Sequence, residues 1–421
     1  MPWGSSSHLS SRSLGGLVLT LGVTVLAGAC TPETGTGPVP ERGGVIEFGV
    51  VGEPATLDPY APDASDLTYA LIDPVFPMPF RRLADGSIEP DLAASVDVFG
   101  DTARLELNHR RWSNGAPITP LDVVRSIERA TAPSGFAAIR SARRGGPWEV
   151  VLRGRVRDWE RTLSRGAYVL PRGRLRGGNV SAGPFKFSRY VRGRSITYAS
   201  NPGSGVKPYV DAVRVNFVQG TDLLVRLLQE GRLDAAAIPS SVNLDDRLDE
   251  LHIPFDKEVG DEQIGFEFDP ERISRGAQAG VMSSIDMANL GASFIRDDGR
   301  VSDAFSRAGT APSSLSIAAP EGDELLGLIQ RAVQVDLEES GVGSELITAP
   351  ASTIYGAWRG EGQADVSLLR VFAVPRGPTW IPLASVATFV AWREEVHGIA
   401  VNPSLSGPLW NAAQWWKDPS I

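Results

Sequence analysis

Three polar side chains fall close together near the start of the soluble part of this chain: Glu53, Asp58 and Tyr69. Two carboxylates and a phenol suit recognition of a polar solute through charge and hydrogen bonding. They do not supply the paired nucleophile and base that covalent catalysis needs. Trp358 and Trp380, far along the chain, are of the type that walls a ligand cleft, where aromatic surface is combined with a few polar groups. Each residue also has a plainer role. Asp58 precedes Pro59 and forms turns, Glu53 is a solvated loop acid, Tyr69 packs a helix, and both tryptophans fill core.

Enzymatic chemistry finds little support. The four histidines, His8, His109, His252 and His397, are widely separated, and neither a zinc-protease, a nucleophile-elbow nor a Walker pattern is present. Distant histidines converging in space leave a hydrolase open on that ground only. The single cysteine, Cys30, excludes disulfides within the chain, thiolate zinc sites and a cysteine redox pair. We therefore expect no cofactor, no metal and no enzyme activity.

The element that must position Glu53 and Asp58 is the run Val45–Val51, which reads as a buried strand stopped by Gly52-Glu53-Pro54. In an α/β sheet, ligands bind at the carboxyl ends of central strands, where this loop lies. Helical and strand patterns alternate along the rest, which predicts α/β. Thr119-Pro120-Leu121-Asp122 starts one helix, Thr221 starts another with Leu224 and Leu228 on one side, and 323–341 is the longest. Strands are predicted at 103–108, 148–152, 185–190, 195–199, 213–218, 264–268 and 365–371. Trp410, Trp415 and Trp416 are expected to dock a C-terminal helix on the first lobe.

Net charge is −9, unevenly spread: residues 140–194 are rich in arginine and 222–271 are acidic. The arginines alternate with apolar residues on short strands, which fits a solvated face or a patch facing anionic lipid or cell wall better than a nucleic-acid surface.

The first 29 residues have the apolar core of a signal peptide, too short to span a bilayer comfortably. Val25-Leu26-Ala27-Gly28-Ala29-Cys30 resembles the bacterial lipobox, so Cys30 is expected to be lipidated and to hold the protein on the outer face of the cytoplasmic membrane. Residues 30–44, rich in Pro, Gly and Thr, read as a flexible linker. Roughly 390 residues remain after the leader, enough for two domains or lobes.

Several motifs, in order, carry a family likeness. Gly52-Glu53-Pro54-Ala55-Thr56-Leu57-Asp58-Pro59 resembles the opening signature of the family 5 extracellular solute-binding proteins, the oligopeptide, dipeptide and nickel receptors of ABC importers. Pro90-Asp91-Leu92-Ala93-Ala94-Ser95, Trp112-Ser113-Asn114-Gly115-Ala116-Pro117-Ile118-Thr119 with Asp122-Val123, Ala182-Gly183-Pro184-Phe185-Lys186 and Leu228–Asp234 are similar to later segments of that family. Ile381-Pro382-Leu383 and Val396-His397-Gly398 resemble its C-terminal return strand.

The resemblance implies a two-lobed periplasmic-binding-protein-like fold of the peptide-binding class, with lobe I at 45–262, lobe II at 263–378 and a return to lobe I at 379–421. It implies hinge closure over a peptide or other small solute and partnership with an ABC permease and ATPase. The span from Phe266 to Ile381 is shorter than in the family, predicting a reduced second lobe and a shallow cleft. Ser367-Leu368-Leu369-Arg370-Val371-Phe372 stands where the family has an acidic, proline-containing segment. No residue can be assigned to the second-lobe aspartate that holds a peptide's α-amino group. The alternative is a surface lipoprotein that has lost solute transport and acts as a scaffold.

Overall fold

The computed structural model describes residues 40–61, 64–131, 136–172, 180–296, 299–302, 309–351, 353–358, 362–372 and 379–418. The leader, Cys30 and most of the predicted linker lie outside them. Among the described residues no helix is long and apolar enough to cross a membrane.

The strand Val45–Val51 forms as read and sits inside an eleven-stranded sheet. It runs parallel to Ala212–Val218 on one side and Ala235–Pro239 on the other. Ile46, Phe48 and Val50 are buried on one face and Gly49 is buried on the other against Leu224 and Leu233, so the strand is covered on both sides there and is apolar almost throughout rather than strictly alternating. The helix Thr221–Gln229 links its two neighbours and lays Leu224 over it. Gly49 is required there: a β-carbon would stand 2.6 Å from the methyls of both Leu224 and Leu233. Gly220, not Thr221, takes the cap position of that helix. A four-stranded antiparallel sheet, covered by the helix Pro120–Thr131, is built from residues between Val51 and Ala212 and shares the first core.

Two long antiparallel strands, Phe255–Phe268 and Trp380–Trp392, carry the sheet from the first half into the second. Only their ends, 264–268 and 389–392, stand out as apolar in the sequence. Their pairing shifts register between Val259 and Gln263 and again at Gly265, which faces Pro382. Proline is tolerated in sheets at such irregularities. Beyond the shift the strands enter a separate core, with Phe266, Phe268 and Leu383 packed against the helix Glu324–Glu339.

The second half repeats the logic of the first. Ser314–Pro320 and Gly343–Ala349 are parallel and joined by Glu324–Glu339, and Val366–Phe372 pairs parallel on the other side of Ser314–Pro320. Asp323 caps the connecting helix, accepting from the Leu326 amide at 3.1 Å.

One sequence expectation fails at the end of the chain. Among the described residues no C-terminal helix forms; a 3-10 turn at Ala412–Gln414 and a two-residue strand, Trp416–Lys417, take its place. Pairing of Trp416–Lys417 with Val396–His397 as a short antiparallel ladder draws this segment into extended backbone instead. Trp415 still docks on the first core, stacked on Phe48 with ring centroids 5.1 Å apart and its indole nitrogen donating to Asn411.

Candidate functional site

Both halves end their parallel strands at the same place, and a cavity of about 400 Å³ lies there. The first half lines it with Val50–Glu53, Gln219 and Ala237–Pro239, each at or just past a strand's carboxyl end, and with Asp66, Leu67 and Ala70 of the helix Asp66–Ile72. The second half adds Pro320, Glu321 and Asp323, then Pro350 and Ala351, then Arg370 and Phe372, with Tyr355 beside them. Glu262, Thr388 and Phe389 come from the two long strands. The carboxyl ends of parallel strands are where open α/β sheets bind ligands, and here two sets face one space.

Arg370 is the centre of the second wall. Its Nε donates to Asp323 at 2.8 Å and its Nη2 to the other oxygen of the same carboxylate at 3.1 Å, a fork that fixes both planes. Nη2 also donates to the Ser240 carbonyl at 2.9 Å, which reaches the first half of the molecule. Glu262 stands farther away, at 3.5 Å from Nη1, and takes the Thr388 hydroxyl at 2.9 Å. Tyr355 pins the Arg370 backbone, accepting from its amide and donating to its carbonyl at 3.0 and 3.1 Å. A second bridge between the halves runs from the Phe372 amide to the Asp66 carboxylate at 2.8 Å.

Burial raises the Glu262 carboxyl above the ordinary carboxylate range, and the pull of Arg370 and the Thr388 hydrogen bond only partly offsets it. The geometry explains this: Arg370 gives its fork to Asp323 and only a long contact to Glu262. Burial works against the charge on Arg370, but Asp323 and Glu262 more than reverse that, so it stays protonated. Burial, then the negative charge of Asp323, pushes the Tyr355 phenol up, so it remains a neutral donor.

Of the residues singled out by sequence, Glu53 lines the cavity. Its carboxylate accepts from the Tyr190 hydroxyl at 2.6 Å and the Gly193 amide at 2.9 Å, which ties the loop to the hairpin of Phe185–Val191 and Ser195–Ser200. Asp58 lies outside the lining, closing its own turn onto the Tyr60 amide and pairing with Arg129. Tyr69 turns away from the cavity residues of its helix, donates to the Pro59 carbonyl at 2.9 Å and stacks on Tyr168. Trp358 and Trp380 pack together with Ala318, Leu369 and Val371 in a small core that also holds Tyr355. They stand behind the second wall and are not among the cavity-lining residues.

Sequence reading did not single out Arg370, Asp323, Glu262, Tyr355 or Asp66 as site residues. A signal existed for two of them. Arg370 is a lone charge inside the apolar run Val366–Phe372, and Glu262 precedes an apolar strand it ends up sharing. A charge in such a place is expected to have a buried partner.

The fold is shared with solved solute-binding proteins. AppA from Bacillus subtilis, in complex with a nonapeptide, aligns with TM-score 0.73 and 13% identity over 90% of this chain and 100% of that one. AgaA from A. tumefaciens R10, in complex with agropinic acid, gives 0.75 and 17% over 90% and 99%. NikA from Staphylococcus aureus, in complex with Ni(L-His)2, gives 0.72 and 13% over 89% and 100%. No protein-family model matches the sequence, and no curated protein is significantly similar to it. At these identities the likeness establishes the fold: a mixed α/β, periplasmic-binding-protein-like architecture.

Proposed function

We propose that this chain is an extracytoplasmic solute-binding receptor that delivers a peptide or other small polar solute to an ABC permease and ATPase, held at the membrane by lipid on Cys30. The observation that carries the reading is the cavity itself, formed where strand ends of two halves meet and walled by a fixed ion cluster on one side. Its volume falls within the range of small-molecule sites, roughly 300–1,000 Å³. The shared fold with proteins solved around a nonapeptide, agropinic acid and Ni(L-His)2 supports the same role.

In this reading Glu53 meets the solute directly. Asp58 and Tyr69 hold the loop and helix that carry the first wall, and Trp358 and Trp380 hold Tyr355 and the second. The work done is differential binding to a closed state, with no covalent step. The irregular pairing between Val259 and Gln263 marks where the long strands would flex.

Thermal unfolding with a mixed solute library tests the reading. A solute at a hundredfold excess over its Kd stabilises by about 2.7 kcal/mol through mass action. If no class of solute shifts the transition, the scaffold alternative replaces it. Fractionation tests the anchor: Cys30→Ser should move the protein from the membrane to the soluble fraction, and a mutant still anchored would refute lipidation.

A further inference from the structure

The cavity's charges are lopsided. Among the described residues Glu53, Asp66, Glu262, Glu321 and Asp323 line it against one cation, Arg370, with no lysine or histidine. That cation is already engaged, by the Asp323 carboxylate on two nitrogens, by the Ser240 carbonyl and by Glu262. A solute carboxylate entering here would find four of the five N–H groups of Arg370 already engaged, and it would face the surplus of negative charge.

The opposite is true for a positive group. Glu321 has no side-chain hydrogen bond or ion pair among the described residues, and it stands at the mouth of the cavity beside the start of the helix that Asp323 caps. A cleft lined by one sign of charge within low-dielectric walls concentrates the opposite ion. Apart from Ser65, Gln219 and Thr388, the rest of the lining is mostly apolar or aromatic, with Val50, Ile238, Phe372, Phe389 and Tyr355, and such surface suits an alkyl chain ending in a cation. A bare metal ion fits poorly, since no group of three or more ligating side chains with metal-site geometry occurs among the described residues.

Resting on the receptor reading above, we propose that the preferred solute is a small organic cation, an amine or guanidine bearing no carboxylate, whose positive group is held on the Glu321 side of the cavity. Zwitterionic peptides and dicarboxylates are then the poorer ligands.

The test is calorimetric titration of the full-length protein in detergent with 1,4-diaminobutane and agmatine, with dialanine as the zwitterion and glutarate as the anion. The expected result is saturable binding of an amine or guanidine, weaker at high salt, and at least tenfold weaker binding of dialanine and glutarate. Glu321→Gln should weaken the cation roughly fivefold, the most that an exposed charge pair usually supports, and leave the unfolding temperature unchanged. Tighter binding of dialanine or glutarate than of either cation would overturn the charge preference and leave the receptor reading standing. Cation binding unaffected by both salt and Glu321→Gln would overturn the placement of the positive group. No heat with any of the four, together with no thermal shift across the wider library, would overturn both.

Discussion

The two walls of the cavity are built in different ways. The first is made of strand ends and a loop: Val51, Gly52 and Glu53 continue directly from the first strand, and the Glu53 carboxylate is tied to a nearby exposed hairpin. The second is organised by a buried guanidinium, with Arg370 on one strand, Asp323 at a helix start and Glu262 on a long strand, more than a hundred residues from its partner. On the first wall the Glu53 carboxylate is held by neutral donors, a hydroxyl and a backbone amide of that hairpin. The charged side chains on the second are committed to each other, so that wall is rigid and its polarity is set before anything binds. The difference assigns ligand discrimination to the first wall and to Glu321, and shape to the Arg370 cluster.

That comparison can be broken most sharply at Arg370. Arg370→Met leaves Glu262 and Asp323 facing a desolvated site without their cation and should cost about 3–5 kcal/mol, the range for removing one partner of a buried pair. Urea unfolding measures it, and a cost below about 1 kcal/mol would mean the second wall is not rigid in the sense argued. Glu53→Gln, on the first wall, should lie within about 0.5 kcal/mol of the parent, as surface substitutions usually do, while weakening solute binding.

Next in size is Gly49→Ala. Its methyl would enter the space of Leu224 and Leu233 behind the first strand, and overpacking of this kind costs about 1–3 kcal/mol. Thermal unfolding reads it; a neutral result would show that the helix Thr221–Gln229 can move away from the first strand. Asp323→Asn keeps a capping side chain but removes the charge from the fork with Arg370. It should therefore cost more than the few tenths of a kcal/mol that separate good caps, whereas Asp158→Asn, at a cap without such a fork, should cost almost nothing.

The smallest effect is a pH slope. Glu262 holds a proton in the folded protein up to a pH where the unfolded carboxyl has already lost it, because its folded pKa is raised. Its contribution to stability is therefore full below the ordinary carboxylate pKa and declines as pH rises through the raised value. Stability measured from pH 4 to 8 should decline less in Glu262→Gln than in the parent, since Asp73, also raised by burial, adds the same slope to both; parallel curves would remove the buried-carboxyl account.

The two walls also differ in how far they could be read in advance. Local rules were enough for the first: an apolar run, a Gly-Glu-Pro stop and the position of a strand's carboxyl end led to Val45–Val51 and to Glu53. Helix Glu324–Glu339 followed from periodicity in the same way. The Arg370 cluster could not be read, because its three members are joined only by tertiary packing and nothing local pairs Asp323 or Glu262 with Arg370. The long strands were visible only at their apolar ends, since the middle of each carries charged or small residues and a register shift. Trp358 and Trp380 were placed at the site by residue type alone. Their packing against Leu369 and Val371 sets them one layer behind it.

The account rests on the cavity between the two walls being the place where a solute is held. A crystal structure of the protein grown with the solute that gives the largest thermal shift tests this most directly. The account predicts density for one molecule between Glu53 and the Arg370 cluster, with the Arg370–Asp323 fork unbroken. An empty cavity with the solute bound elsewhere, or a solute that has taken Arg370 away from Asp323, would contradict it.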